Sequence, residues 1–128
     1  MQASQKNKSD LGAIRIHNEV VAAIVVSAVL EVEGVVGMRS GLTQELAQLF
    51  GKKEFEKGVK INIEENKTKL DVSIIVKYGC NIPKVAREVQ IKTKEAVEKM
   101  TGLSVLEINV GICRIKLNES RTSEAKQT

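Results

Sequence analysis

Hydrophobic residues alternate with polar ones in several short stretches, a pattern typical of half-buried β-strands. The first is "AIRIH", and a second short strand is predicted at 35–38. The alternating stretches 59–64 and 70–78 flank the polar turn "ENKT" and predict a β-hairpin. Residues 105–117 predict the last strand. Its alternation shifts phase, which predicts a bulge near Cys113, with the cysteine buried.

Two longer stretches have the three- and four-residue hydrophobic spacing of helices. Residues 18–33 predict a helix with Asn18 as N-cap and Gly34 as its stop. This helix is apolar on most sides, so it must pack against the sheet and also against another helix or another subunit. The second helix is amphipathic, begins after Asn81 with a proline in its first turn and ends at Gly102. Its predicted apolar face consists of Ile82, Val85, Ala86, Val89, Thr93, Ala96, Val97 and Met100.

A third, short amphipathic helix is predicted between the second strand and the hairpin. Its hydrophobic positions are Leu42, Leu46, Leu49 and Phe50. The glycine-bracketed polar segment "GKKEFEKG" after it is predicted to be mobile.

The order strand, helix, strand, short helix, hairpin, helix, strand predicts an α+β domain with a small mixed β-sheet and two main helices packed on one face. The final helix can return the chain across the sheet, so the last strand should run parallel to the strand before it. The polar stretches 1–10 and 118–128 predict flexible tails, and 11–117 predicts a single domain.

The overall composition is that of an ordinary globular protein. Among 128 residues only 2% are aromatic, so the core must be built from aliphatic side chains. The net charge of +4 comes from 20 basic and 16 acidic residues that are interleaved, which favours a solvated mixed surface. The apolar run 20–30 is far shorter than the ~20 residues that span a bilayer. Two cysteines without a secretory signal predict a cytoplasmic protein with free thiols.

Cys80 is the one candidate for covalent chemistry, because a thiol at a helix N-terminus is stabilised as thiolate. Catalysis would also need a base, and no motif links Cys80 to the single histidine, His17. The sequence also lacks the C-x-x-C spacing of zinc sites and the glycine-rich loops that bind phosphate. We therefore expect no enzymatic activity, no catalytic residue, no cofactor site and no metal site, and we interpret Cys80 as a small residue at a strand-to-helix corner.

"GVVG" at 34–37 superficially matches the G-x-x-G loop with which KH domains clamp RNA. Its two middle residues are valines, and the chain has almost none of the aromatic residues on which single-stranded bases stack. A basic, KH-like nucleic-acid-binding regulator therefore remains only the alternative to a binding, scaffolding or self-assembling domain.

Several stretches together resemble a known family. They are "LGAIRIHNEVV", "EVEGV", "KGVKINI", "DVSIIVKYGCNIPKVAREVQ" and "AVEKMTGLSVLEINVGI". In order and spacing they are similar to the alkaline shock protein family, the cell-envelope stress response proteins of Gram-positive bacteria, over residues 11–117.

This resemblance implies a non-enzymatic cytoplasmic protein that self-associates and is linked to envelope or alkaline stress. It also implies that a separate small membrane protein holds some members at the membrane. The chain itself carries no hydrophobic anchor, so direct membrane insertion is not expected. The family brings no catalytic residues to transfer, and nucleic acid is not an expected partner.

Overall fold

The computed structural model describes residues 8–9, 11–39 and 58–117. The predicted short helix at Leu42 to Phe50 and the segment "GKKEFEKG" up to Lys57 lie outside these residues. So do both predicted tails, except Lys8–Ser9, which form the two-residue strand β1 and pair with β2, Gly12–Ala13.

The main sheet is built around one long strand, β5 (Lys67–Lys77). Strand β6 (Ser104–Lys116) runs parallel to β5 along its whole length and occupies one edge. The other edge is shared by β4 (Val59–Glu64) and β3 (Val35–Met38), both antiparallel to β5. The predicted small mixed sheet and the parallel last strand are confirmed.

The hairpin between β4 and β5 closes through a two-residue turn at Glu65 and Asn66. Their φ angles are 49° and 76°, the left-handed conformation that a tight hairpin turn needs at both positions. The turn is shorter than "ENKT", because Lys67 and Thr68 already pair with β4, and Thr68 is fully buried.

Helix α1 (Asn18–Leu30) is bounded differently from the prediction. His17 is its N-cap, with no hydrogen bond from the side chain, and Asn18 is already helical. Glu31 is the C-cap, so the predicted end at residue 33 was too late. Gly34 lies beyond the helix, in the turn before β3, with a φ of +101°.

Helix α2 (Ile82–Thr101) begins and ends as its sequence predicts. The Asn81 Oδ1 atom accepts a hydrogen bond of 3.1 Å from the Lys84 backbone N–H, which caps the first turn. Gly102 ends the helix in the left-handed conformation, and its N–H donates to the Glu98 carbonyl at 3.0 Å.

Both helices cover one face of the sheet. Along β5 the even-numbered side chains from Thr68 to Val76 are buried, whereas the odd-numbered ones point to the other, polar face. Helix α1 packs on α2, β3 and β4, and α2 packs on α1 and β6. The second surface that the apolar α1 requires is therefore the other helix. The largest fully buried side chains are all hydrophobic and none is aromatic: Met38, Leu70, Ile74, Leu103, Val21, Val25, Val26, Val29, Val32, Val72 and Val76.

Two predicted strand positions near the domain ends are wrong. "AIRIH" is not a strand beyond Ala13, because it leads directly into α1. Ile16 packs against the core, but Ile14 is 55% exposed. Tyr78 lies in the turn after β5 instead of on its buried face, and it is 46% exposed.

Strand β6 carries two irregularities in its register with β5. The predicted bulge at Cys113 is confirmed, since Ile112 pairs with Ile74 and Arg114 with Ile75. A second bulge lies at Leu106, which the sequence pattern placed on the buried face of the sheet. The extra residue exchanges the two faces at the start of the strand. Val105 is therefore buried and Leu106 is 56% exposed. Cys113 is exposed, so its predicted burial was wrong: a bulged residue is left out of the ladder and does not face the core.

Candidate functional site

A groove with a volume of about 630 Å³ runs between α1 and α2 on the outside of the helical layer. We call it the helical groove. Its floor is formed by Ala23, Ile24, Ala28, Ala96 and Met100. Its charged lining residues are Glu31, Lys92, Glu95 and Lys99. The three alanines of the floor allow another backbone to approach closely, while the charged residues offer polar contacts around it.

The α1 wall of this groove is unusual for an exposed helix surface. Between Glu19 and Glu31 the helix has no charged residue. Its solvent-facing positions are nevertheless accessible: Val20 is 46% exposed and Ser27 is exposed. An accessible helix surface without charge is typical of a place where another protein binds.

The residues of α2 that line the groove are determined by the way its line of buried residues winds around the helix. Its buried residues recur at intervals of four: Val85, Val89, Thr93, Val97 and Thr101. Because a helix has 3.6 residues per turn, steps of four rotate the buried line by about 40° at each turn. By the last turn the buried position is Thr101, and Met100 lies in the groove, 68% exposed. The prediction that Met100 belongs to the buried face was wrong for this reason.

The corner at Cys80 brings together two stretches that the sequence analysis treated separately. A depression of about 430 Å³ is lined by the Gly34 turn, the Tyr78 to Asn81 junction and the first turns of α2. At Gly34 a Cβ atom would lie 2.7 Å from the Val85 Cγ2 and 3.6 Å from the Cys80 Cβ. Cys80 is half-buried and packs against the core. The side chain thus occupies a tightly packed corner.

His17 does not join Cys80. It is the exposed N-cap of α1 and is not among the residues that line the depression at Cys80. Since His17 is the single histidine of the chain, no imidazole base stands beside the thiol.

"GVVG" is not an exposed loop. Val35 to Gly37 belong to β3 and pair with β5, and Gly37 is buried. The segment therefore lacks the free backbone with which a G-x-x-G loop clamps nucleotides.

One edge of β6 is attached to α2 through side chains that sequence reasoning missed. The Gln90 Nε2 donates to the Ile108 carbonyl at 3.0 Å, and the Lys94 Nζ donates to the Val105 carbonyl at 3.3 Å. The Val105 N–H in turn donates to the Glu98 Oε2 at 2.9 Å. This last bond, together with the Lys94 ammonium at 2.9 Å, lowers the pKa of Glu98.

Within residues 11–39 and 58–117, His, Cys, Asp and Glu side chains form no group of three that could hold a metal ion. Neither helix that the structure describes has the length and hydrophobicity needed to span a bilayer.

Comparison with known proteins matches residues 6–117 to the alkaline shock protein 23 family, which is described by a cell envelope-related function. The match covers most of the chain. This chain belongs to that family. The resemblance found in the sequence is thereby confirmed.

Relatives come from Gram-positive bacteria. YqhY of Bacillus subtilis (strain 168) is 37% identical over 108 residues, which cover 84% of this chain and 80% of YqhY. YloU of the same strain is 33% identical, covering 86% of this chain and 93% of YloU. A protein of Streptococcus pyogenes serotype M3 named as a stress response regulator gls24 homolog is 26% identical, covering 88% of this chain and 64% of that protein. The family match thus spans every residue that the structure describes.

Proposed function

We propose that this chain is a non-enzymatic interaction module of the cell-envelope stress response, which acts in the cytoplasm by self-association and by binding a partner. The envelope role is supported by the family, and the stress role by the gls24 homolog. The observation that carries the binding role is the helical groove, because its floor is apolar, Met100 and Ser27 are exposed in it, and α1 carries no charge between Glu19 and Glu31.

The partner that this groove fits best is an amphipathic helix. Such a helix places apolar side chains at three- and four-residue intervals into a groove and its polar side chains towards the charged lining residues. Lys92, Glu95 and Lys99 provide both signs of charge for this purpose. A small membrane protein with a cytoplasmic amphipathic helix would hold the module near the envelope.

A binding role is also supported by the corner at Cys80. The depression there is lined by lysines and glutamates beside the thiol, and the single histidine lies elsewhere. A half-buried thiol without a base at hand suits packing better than nucleophilic chemistry.

The groove is tested by recovering partners of the tagged full-length chain from envelope-stressed cells, with membrane and soluble fractions kept apart. Ser27→Lys places a charge in the middle of the uncharged α1 wall and should abolish recovery of the membrane-fraction partner. Ser104→Lys adds the same charge at an exposed serine of β6 and should leave recovery unchanged. Equal recovery with the wild type and Ser27→Lys would contradict binding in the groove.

Self-association is tested separately by light scattering over a concentration series. The expected result is a species heavier than the 14.0 kDa chain, with a share that grows with concentration. A chain that stays at 14.0 kDa at every concentration would refute this part of the proposal.

A further inference from the structure

The outer edge of β6 is covered by α2 along only half its length. In the first half, the Val105 N–H and carbonyl and the Ile108 carbonyl are bonded to side chains of α2. The same side of α2 continues towards its N-terminus through Arg87 and Pro83, at the three- and four-residue spacing of Gln90 and Lys94. Neither residue forms a hydrogen bond with β6. The described chain thus closes one half of this edge and leaves the other open.

The open half has backbone groups ready to pair. Alternate residues of a strand turn both their N–H and C=O to the same edge. Since the Ile108 carbonyl faces outward, the backbone groups of Val110 and Ile112 face outward too, and no described strand lies beside them. An unpaired strand edge of this kind is a template for another strand.

We propose that the open half of β6 pairs antiparallel with the same strand of a second copy, about a two-fold axis at Gly111. This inference rests on the proposed self-association and names its surface. In this register Gly111 faces Gly111 of the second copy, and Val110 faces Ile112. The extra residue at Cys113 then brings Asn109 opposite Arg114 and Glu107 opposite Lys116. Glu107 lies in the half of β6 whose outward backbone groups are bonded to α2, so the new backbone hydrogen bonds are confined to Val110 and Ile112, and Glu107 meets Lys116 through its side chain alone.

Charge complementarity favours this arrangement. Lys69 and Lys77 face Glu107 and Lys116 in the ladder with β5 and project from the polar face of the sheet, so Glu107 and Lys116 share that face. Antiparallel pairing about Gly111 places the acidic end of one strand against the basic end of the other, twice by symmetry. Opposite charges across neighbouring strands are stabilising, and like charges are destabilising.

Gly111 gives an independent argument. Its φ is not in the left-handed range, and a Cβ atom there would meet only the Val72 carbonyl oxygen at 3.7 Å and the Ser73 Oγ at 3.9 Å, which are ordinary contacts. The described part of a single chain therefore does not require glycine at this position, although glycine weakens a strand interior. In the proposed pairing the backbone of the second copy comes closest at the two-fold axis, and this close approach explains the glycine at position 111.

The register is tested by a disulfide across the axis. Gly111 and its symmetry mate form a pair without mutual hydrogen bonds, with Cα atoms about 4.5 Å apart, within the range that a disulfide spans. Gly111→Cys, in a full-length chain with Cys80→Ser and Cys113→Ser, should form a covalent dimer on a non-reducing gel under mild oxidation. Asn109→Cys in the same background lies two residues from the axis on the same face and should stay monomeric on that gel.

The pairing is also tested by charge reversal. Glu107→Lys and Lys116→Glu should each raise the dimer dissociation constant roughly tenfold, because each places like charges opposite one another twice. Mixing the two variants should restore dimers, since the mixed pair regains both attractions. Lys60→Glu, an exposed charge reversal on β4, should have no effect on association.

The outcomes separate this inference from the proposed function. A wild-type chain that is monomeric at every concentration overturns both this inference and the self-association part of the proposed function, and leaves partner binding in the helical groove standing. Oligomers that form while Gly111→Cys fails to cross-link, or cross-links no better than Asn109→Cys, overturn the β6 pairing and leave self-association standing. Covalent dimers specific to position 111, with recovery on mixing the charge variants, establish the pairing.

Discussion

Gly34 joins three elements at one corner of the molecule. Its carbonyl accepts a hydrogen bond of 2.8 Å from the Lys77 N–H at the end of β5. Its missing side chain leaves room for Val85, in the first turn of α2. With a φ of +101° it also turns the chain from α1 into β3, so both backbone freedom and small size are needed there.

We expect Gly34→Ala to lower the free energy of unfolding by more than Gly79→Ala. Gly79 also has a positive φ, +94°, but no atom of the described residues lies within 4 Å of a Cβ atom there, so its substitution adds only backbone strain of about 1–3 kcal/mol. Gly34→Ala adds the 2.7 Å clash with the Val85 Cγ2, a further cost of about 1–3 kcal/mol. Urea denaturation measures both, and equal losses would show that Val85 relaxes freely.

Single residues were predicted well where a local rule decides and poorly where neighbours decide. Asn81 and Gly102 cap α2 as expected because capping depends on the chain within a few residues. The sequence singled out Gly34 and Cys80 but could not show that they meet, because their contact depends on how the α1 turn docks on α2. Cys113 was expected to be buried, yet its bulge turns it outward.

Among the elements, α2 and β6 are held together by more than apolar packing. Glu98 accepts from the Val105 N–H and pairs with Lys94, which itself bonds the Val105 carbonyl. No periodicity predicts these bonds, because they join side chains of a helix to the backbone of a strand. From the hydrophobic pattern, Lys94 and Glu98 are predicted only to lie on the solvent-exposed side of an amphipathic helix.

Glu98→Gln should lower the free energy of unfolding at neutral pH. This variant should also lose less of that free energy than the wild type when the pH is lowered. The hydrogen bond from Val105 and the Lys94 ammonium lower the pKa of Glu98 in the folded state. Its contribution is therefore complete above the unfolded-state pKa of about 4.3 and is lost as pH falls through the lower folded-state pKa. Glutamine still accepts the bond but carries no charge, so the two proteins should converge at acid pH.

Thermal melts between about pH 7 and pH 3 measure this difference. Glu95→Gln is the matched control, since Glu95 is an exposed residue of the same helix that lines the groove and forms no hydrogen bond with β6. A gap between Glu98→Gln and the wild type that stays constant over the whole pH range would contradict the assigned role of the carboxylate.

At the scale of the whole molecule, hydrophobic patterning predicted the α+β architecture, the hairpin, the long amphipathic helix and the parallel last strand. Each depends on a strong period and on short connections. Patterning could not show that β3 and β4 share one edge of β5, since that depends on which strand fills the other edge. The only sign of the helical groove in the sequence was the absence of charged residues from 20–30.

Overall charge gives a test of the nucleic-acid alternative. The pI near 9.1 would favour binding to polyanions, but basic and acidic residues are interleaved along α2, as in the Lys94–Glu98 pair. We expect no retardation of DNA or RNA in a gel-shift assay at low salt. Retardation that disappears steeply as salt rises would instead support a nucleic-acid-binding role.

The position of β6 at the end of the described chain has a consequence for synthesis on the ribosome. Strand β5 emerges early, yet its second edge is filled only by Ser104–Lys116, after all of α2 has been made. Until then an 11-residue strand with a row of buried-type side chains has an open edge. Chains are most prone to misassociate during such an interval, so the edge of β5 can pair with other nascent chains until β6 has been made.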